Sequence, residues 1–198
     1  MRYRLVNLES VKSSRLPLAD ERQLVLQAQD GDAEAFGRIY DAYVERIYRF
    51  VYFRVDDQQT AEDITSQIFL KAWSNLDRFQ FSRTPYIAWL YTIAHNTVID
   101  HYRTRKVTTA LEDVKLSQPD YAEAVEYQID LAVEMKTIKT AMQDLTDDQQ
   151  QVLSLRFIEG MSNSEIAQQL GKREGAIRAL QMRGLQALAK QLAEKMVT

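Results

Sequence analysis

Cysteine is absent from the 198 residues. That excludes disulfide frameworks, thiolate zinc sites and cysteine nucleophiles together, and it fits a reducing compartment. Glycine and proline are scarce, at 6 and 3, which favours long helices over many short strands. The chain has two histidines, His95 and His101. Six residues apart on a helix, they point to different sides, and no carboxylate–histidine pattern at metal spacing surrounds them. There is no glycine-rich phosphate loop. No apolar run is long enough to cross a bilayer. The opening MRYRLVNLESVKSSRL is basic but lacks the apolar stretch of a secretory signal. The expectation is a cytoplasmic protein that is not an enzyme and holds no cofactor or metal.

What is present is 45% hydrophobic and 27% charged, with a net charge of −3, ordinary for a folded chain. The charge is unevenly placed. Residues 107–130 carry Glu112, Asp113, Asp120, Glu123, Glu126 and Asp130 against only Lys115, whereas residues 172–190 carry Lys172, Arg173, Arg178, Arg183 and Lys190 against only Glu174. An acidic connector therefore separates chemically different halves. Apolar residues recur at helical spacing on both sides of it. In the first half they are Phe36, Ile39, Tyr40, Tyr43, Ile47, Phe50 and Val51, then Ile64, Ile68, Ala72 and Leu76, then Leu90, Ile93, Ala94, Thr97, Val98 and His101. In the second they are Met135, Ile138, Met142 and Leu145, then Val152, Leu153 and Leu155. Helix starts are expected at Asp20, at Asp32, at a Thr60/Asp63 box, after Pro85 and at Thr146/Gln149. The fold expected is all-α: an N-terminal extension 1–19, a helical domain 20–106, a linker 107–130 and a second helical domain 131–195.

Residues 161–190 carry the sharpest local signal. Ser162 and Glu165 form a capping box, with Met161 and Ile166 placed as a hydrophobic staple. Residues 164–170 make a short helix ending at Gly171, which can take the left-handed conformation of a tight turn. A second helix then places Ile177, Leu180, Gln181, Gly184 and Leu188 along one side. Short helix, glycine turn, longer helix is the helix-turn-helix pattern. The opposite side bears Gly175, Arg178, Ala179, Met182, Arg183 and Gln186. Small residues there allow close approach to DNA, and arginines can reach bases or phosphates. A three-helix bundle with a solvated basic face fits the same residues.

The helix around residues 88–105 has an outward side of Tyr91, Thr92, His95, Asn96, Ile99, Tyr102, Arg103 and Lys106, and the loop before it adds Phe79, Phe81, Arg83 and Tyr86. Aromatics interleaved with amides and cations suit unstacked bases. Taken singly, most of these rings would be core.

Three blocks then carry a family resemblance. Ala61-Glu62-Asp63-Ile64, Gln67-Ile68-Phe69 and Ala72-Trp73 resemble the polymerase-binding helix of sigma-70 factors. Tyr86 through Arg103, YIAWLYTIAHNTVIDHYR, resembles the same family's promoter-melting helix, and Leu145 to Leu188 is similar to its fourth conserved region. Their order, with a short linker and no middle domain, resembles the extracytoplasmic-function (ECF) subgroup. The resemblance covers nearly everything from Asp20 onward.

The resemblance implies a factor that binds core RNA polymerase and directs promoter recognition, DNA melting and transcription initiation. Glu62, Asp63, Gln67, Phe69 and Trp73 would dock on the β′ clamp helices, and the C-terminal domain would meet the β flap. The loop 80–85 would form a pocket for a flipped −10 base, with Phe79, Phe81, Arg83, Tyr91, Asn96, Asp100 and Arg103 contacting −10 DNA. Arg156, Arg173, Arg178, Ala179, Met182 and Arg183 would contact the −35 element. The acidic linker would thread near the active centre, and an anti-sigma factor would be a further partner. Ala176 and Ala179 stand where the family often has Thr and Ser, and Leu180 and Leu185 where basic residues are frequent, so fewer polar −35 contacts are available. The alternative is a helix-turn-helix regulator with a helical sensor domain.

Overall fold

The computed structural model describes residues 18–81, 85–109 and 126–196. Among them every regular element is helical: α1 Leu18–Gln29, α2 Ala33–Tyr52, α3 Gln58–Ser74, α4 Tyr86–Thr109, α5 Glu126–Gln143, α6 Asp147–Leu153, α7 Asn163–Leu170 and α8 Glu174–Met196. A 3-10 turn, Leu76–Arg78, follows α3, and a π turn, Ser154–Ile158, follows α6. The N-terminal extension and most of the acidic connector lie outside the described residues, so α4 ends three residues beyond the expected boundary and α5 begins within the expected linker.

Local chemistry explains the helix ends. The Asp32 carboxylate accepts from the Glu34 and Ala35 backbone N–H groups, opening α2. Thr146 with Gln149, and Ser162 with Glu165, form reciprocal capping boxes on α6 and α7. Gly171 closes α7 at φ 62°, where a side chain would be strained. Two expected starts move. Asp20 lies inside α1, whose first residue is Leu18. Asp57, not Thr60, caps α3, accepting from the Thr60 N–H at 2.8 Å; an aspartate three residues upstream supplies an acceptor one turn earlier than threonine could.

α2 is the spine of the N-terminal bundle. Its stripe of Ile39, Tyr43, Ile47, Phe50 and Val51 is wholly buried, each side chain contributing about 1.5–3 kcal/mol of transfer free energy. α1 is fastened to it by a charge. The Glu21 carboxylate, 3% exposed, accepts from the Tyr43 hydroxyl at 2.5 Å and the Tyr86 backbone N–H at 2.7 Å. The two bundles touch: Val152, Leu155, Ile166, Ala167 and Ile177 join the same buried cluster as the N-terminal core. Met142, Leu145 and Leu153 form a smaller cluster under α8. The bundles expected to be separate are thus packed together.

Candidate nucleic-acid interface

The Gln29 amide fixes the approach to α4, donating to the backbone carbonyls of Leu76 and Phe79, both at 2.8 Å. Just beyond, the end of α3 and the face of α4 leave a cleft of about 310 Å³. Lys71, Asn75 and Arg78 line one wall; Trp89, Ile93, Asn96 and Thr97 line the other. Lys71 Nζ donates to the Thr97 hydroxyl at 3.2 Å. Cations and amides above an indole suit a base with its phosphate. Asn96 is exposed here. The cleft's cations, Lys71 and Arg78, escaped the sequence reading because they lie on α3 and the following turn.

Several expected −10 residues are elsewhere. Tyr91 is 0% exposed and Phe79 8%. Both are core rings, Tyr91 against Phe50 at 5.2 Å and Phe79 against Tyr86 at 5.1 Å, so neither offers a face for stacking. The helical wheel places Tyr91 outward; α2, through Phe50, and the second bundle, through Glu159, cover it. Phe81 remains half-buried beside Phe79, under the Arg22 guanidinium. Asp100 and Arg103 pair with each other at 3.1 Å. Arg83 lies outside the described residues.

Burial sets the electrostatics around α4. The Tyr91 phenol is pushed well above its ordinary range by desolvation and by the nearby Glu159 charge. Arg54 is 1% exposed, and burial pushes its guanidinium down to about 10. His95 is lowered by burial and by Arg54, whose Nη2 lies 3.3 Å from its Nδ1.

On α3, Asp63 and Gln67 are exposed and Glu62 is half-buried. Phe69, expected in the docking set, is 4% exposed and packs edge-on against Tyr40 at 4.7 Å. Leu70, at 67%, takes its place on the surface beside Trp73 at 38%. Leu70 was legible as the apolar residue off the Ile64/Ile68 stripe.

In the C-terminal bundle α7 and α8 stand as a helix-turn-helix. Gly184 lets α8 close on α6: a Cβ there would meet Leu153 Cδ1 at 3.1 Å. Met182 is 59% exposed, Ala179 half-buried, and Arg173, Arg178 and Arg183 all exposed. Arg178 is held by Glu174 at 2.5 Å, and Arg183 Nε donates to the Ala179 carbonyl at 3.3 Å. Arg156 is half-buried, its Nη1 donating to the Met161 carbonyl at 2.8 Å and bracing the turn before α7.

A helical bundle with a polar cleft, followed by a helix-turn-helix with an arginine-bearing second helix, defines a two-domain DNA-binding protein. Sigma-70 region 2 matches residues 39–108, and sigma-70 region 4 matches residues 141–190. The ECF RNA polymerase sigma factor BldN of Streptomyces coelicolor is 36% identical over 186 residues, covering 91% of this chain and 70% of its own. The ECF RNA polymerase sigma factor SigW of Bacillus subtilis is 31% identical over 183 residues, covering 87% and 97%. The chain belongs to the ECF sigma factors of RNA polymerase. In fold it is similar to CnrH in complex with the cytosolic domain of CnrY (TM-score 0.66, 24% identity, 88% of this chain and 98% of that one). It is also similar to the sigma factor RpoE in complex with the anti-sigma factor NepR from Bartonella quintana (TM-score 0.62, 22% identity, 81% and 98%). No described helix is long and apolar enough to cross a membrane.

Proposed function

We propose the following division of labour within promoter recognition and initiation. The N-terminal domain, 20–106, docks on core polymerase through the exposed face of α3: Asp63 and Gln67 with the apolar pair Leu70 and Trp73. The cleft between α3 and α4 receives the displaced −10 strand, Asn96 reading a base edge while Lys71 and Arg78 hold the backbone. The C-terminal domain, 131–195, places α8 at the −35 element, with Arg178 near the helix start where the major groove is entered most deeply. An anti-sigma factor covers the polymerase-facing surfaces when the protein is held inactive. The protein works in the cytoplasm as a specificity subunit and carries out no catalysis itself.

The observation that carries this reading is the cleft. A base leaves the stack only where a pocket replaces its lost contacts, and here amide, cation and indole converge within one volume. Asn96→Ala is expected to impair strand opening more than initial promoter binding, measured by permanganate footprinting of the −10 region with core polymerase. Normal opening in that variant would reject the pocket. Asp63→Arg and Gln67→Ala are expected to weaken core binding while changing stability by no more than about 0.5 kcal/mol. Equal core affinity in both would reject the docking face.

A further inference from the structure

Gln29 is the last residue of α1, and its side chain serves a different part of the chain. One amide nitrogen, Nε2, donates to two carbonyls, Leu76 O and Phe79 O, each at 2.8 Å. These carbonyls bracket the 3-10 turn Leu76–Arg78. Leu76 and Phe79 are buried, whereas Arg78 between them is exposed and lines the cleft beside Lys71 and Asn75. Gln29 itself is not part of the cleft's lining.

A single 3-10 turn is a weak frame for a functional side chain, because its hydrogen bonds are poorly aligned. Within it the Arg78 N–H donates to the Asn75 carbonyl and the Phe79 N–H to the Leu76 carbonyl, both at 3.1 Å. Gln29 adds two shorter bonds from outside. Its own helix is anchored: Leu24, Val25 and Ala28 lie in the core, and Glu21 holds the Tyr43 hydroxyl and the Tyr86 N–H. A glutamine suits the task, since its amide carries two N–H donors on one nitrogen. A glutamate there would set a carboxylate against two carbonyl oxygens.

We infer that Gln29 is a positioning residue for Arg78. By gripping both carbonyls of the turn it sets the backbone from which the Arg78 guanidinium reaches a phosphate of the displaced −10 strand. This rests on the reading of the cleft given above and adds to it a residue from another helix. A phosphate contact is blind to sequence, so Gln29 governs affinity for the strand and leaves base preference to Asn96.

The test uses the full-length chain assembled with core polymerase and a fluorescent single-stranded oligonucleotide carrying the non-template −10 sequence, titrated at several salt concentrations. Gln29→Met keeps the length of the side chain and removes both donors. It is expected to weaken binding about tenfold, the value of one hydrogen-bonded charge. The log–log salt slope should become shallower by about 0.7, for one phosphate lost on a single strand. The loss should be equal whichever −10 base is varied. Arg78→Ala should reproduce both changes, and the double variant should bind no worse than Arg78→Ala alone, because the two residues act as a unit. If Gln29→Met does not fold, Gln29→Asn, whose amide stops one carbon short of the carbonyls, carries the same slope test. A residue that merely supports the fold would lower the urea midpoint, leave the salt slope unchanged and add its loss to that of Arg78→Ala; that pattern overturns the positioning role. A loss in Arg78→Ala that Gln29→Met does not share also rejects that role and leaves the cleft standing. Unchanged affinity and slope in Arg78→Ala would reject the cleft reading, and this inference with it.

Discussion

Glu174 and Arg178 lie one turn apart on the exposed side of α8. An exposed i,i+4 pair contributes about 0.3–0.5 kcal/mol, whereas a bidentate arginine–guanine contact is worth about 1–3 kcal/mol of discrimination. The base therefore wins Arg178 from Glu174. Arg178→Ala is expected to relax −35 preference by that 1–3 kcal/mol, while Arg183→Ala weakens binding uniformly, read from transcription on promoters with each −35 base varied. If both variants keep wild-type preference and activity, α8 does not read the groove. His95 carries a different dependence. Burial and Arg54 lower its pKa, opposed by Asp147 and Asp148, with Lys172 adding to the lowering. The folded state thus disfavours its charged form, and stability present above the unfolded value of about 6.5 is lost as pH falls below it. Thermal unfolding should drop more steeply between pH 7 and 5 in the unsubstituted chain than in His95→Asn; parallel curves would remove His95 from this role.

At the scale of helices, close approach decides more than propensity. Gly184→Val would thrust a branched side chain at Leu153 and is expected to cost about 1–3 kcal/mol, read as a lower urea midpoint with unchanged slope. An unchanged midpoint would mean that Leu153 simply swings aside. The same contrast explains what could be read beforehand. The α2 stripe, the two capping boxes and the turn at Gly171 follow from spacing and hydrogen-bond chemistry within a few residues, so they were legible. Tyr91 and Phe69 were misplaced because their surroundings are supplied by elements far along the chain: α2 and the second bundle around Tyr91, α2 over Phe69. Arg156 bends to the Met161 carbonyl through a π turn that no periodicity announces. The cleft was half legible. Asn96 belongs to a recognisable helix, but Lys71 and Arg78 join it only once α3 and α4 cross.

One acid joins three helices of the N-terminal bundle. Glu21 ties α1 to α2 through Tyr43 and to α4 through the Tyr86 backbone. Glu21→Ala strands two buried donors and is expected to destabilise the protein by about 3 kcal/mol, measured by urea unfolding. A loss under about 1 kcal/mol would mean that other groups or water take over. The order in which the chain is made gives this carboxylate a second consequence. Tyr43 follows it by 22 residues and Tyr86 by 65. At about 5–20 residues per second, the ribosome leaves the nascent acid waiting about 3–13 s for its last partner. During that interval the carboxylate has at most the Tyr43 hydroxyl of its two donors, and α1 rests on α2 through Leu24, Val25 and Ala28. Completing the first turn of α4 supplies the Tyr86 N–H, the second of the two donors that hold the Glu21 carboxylate.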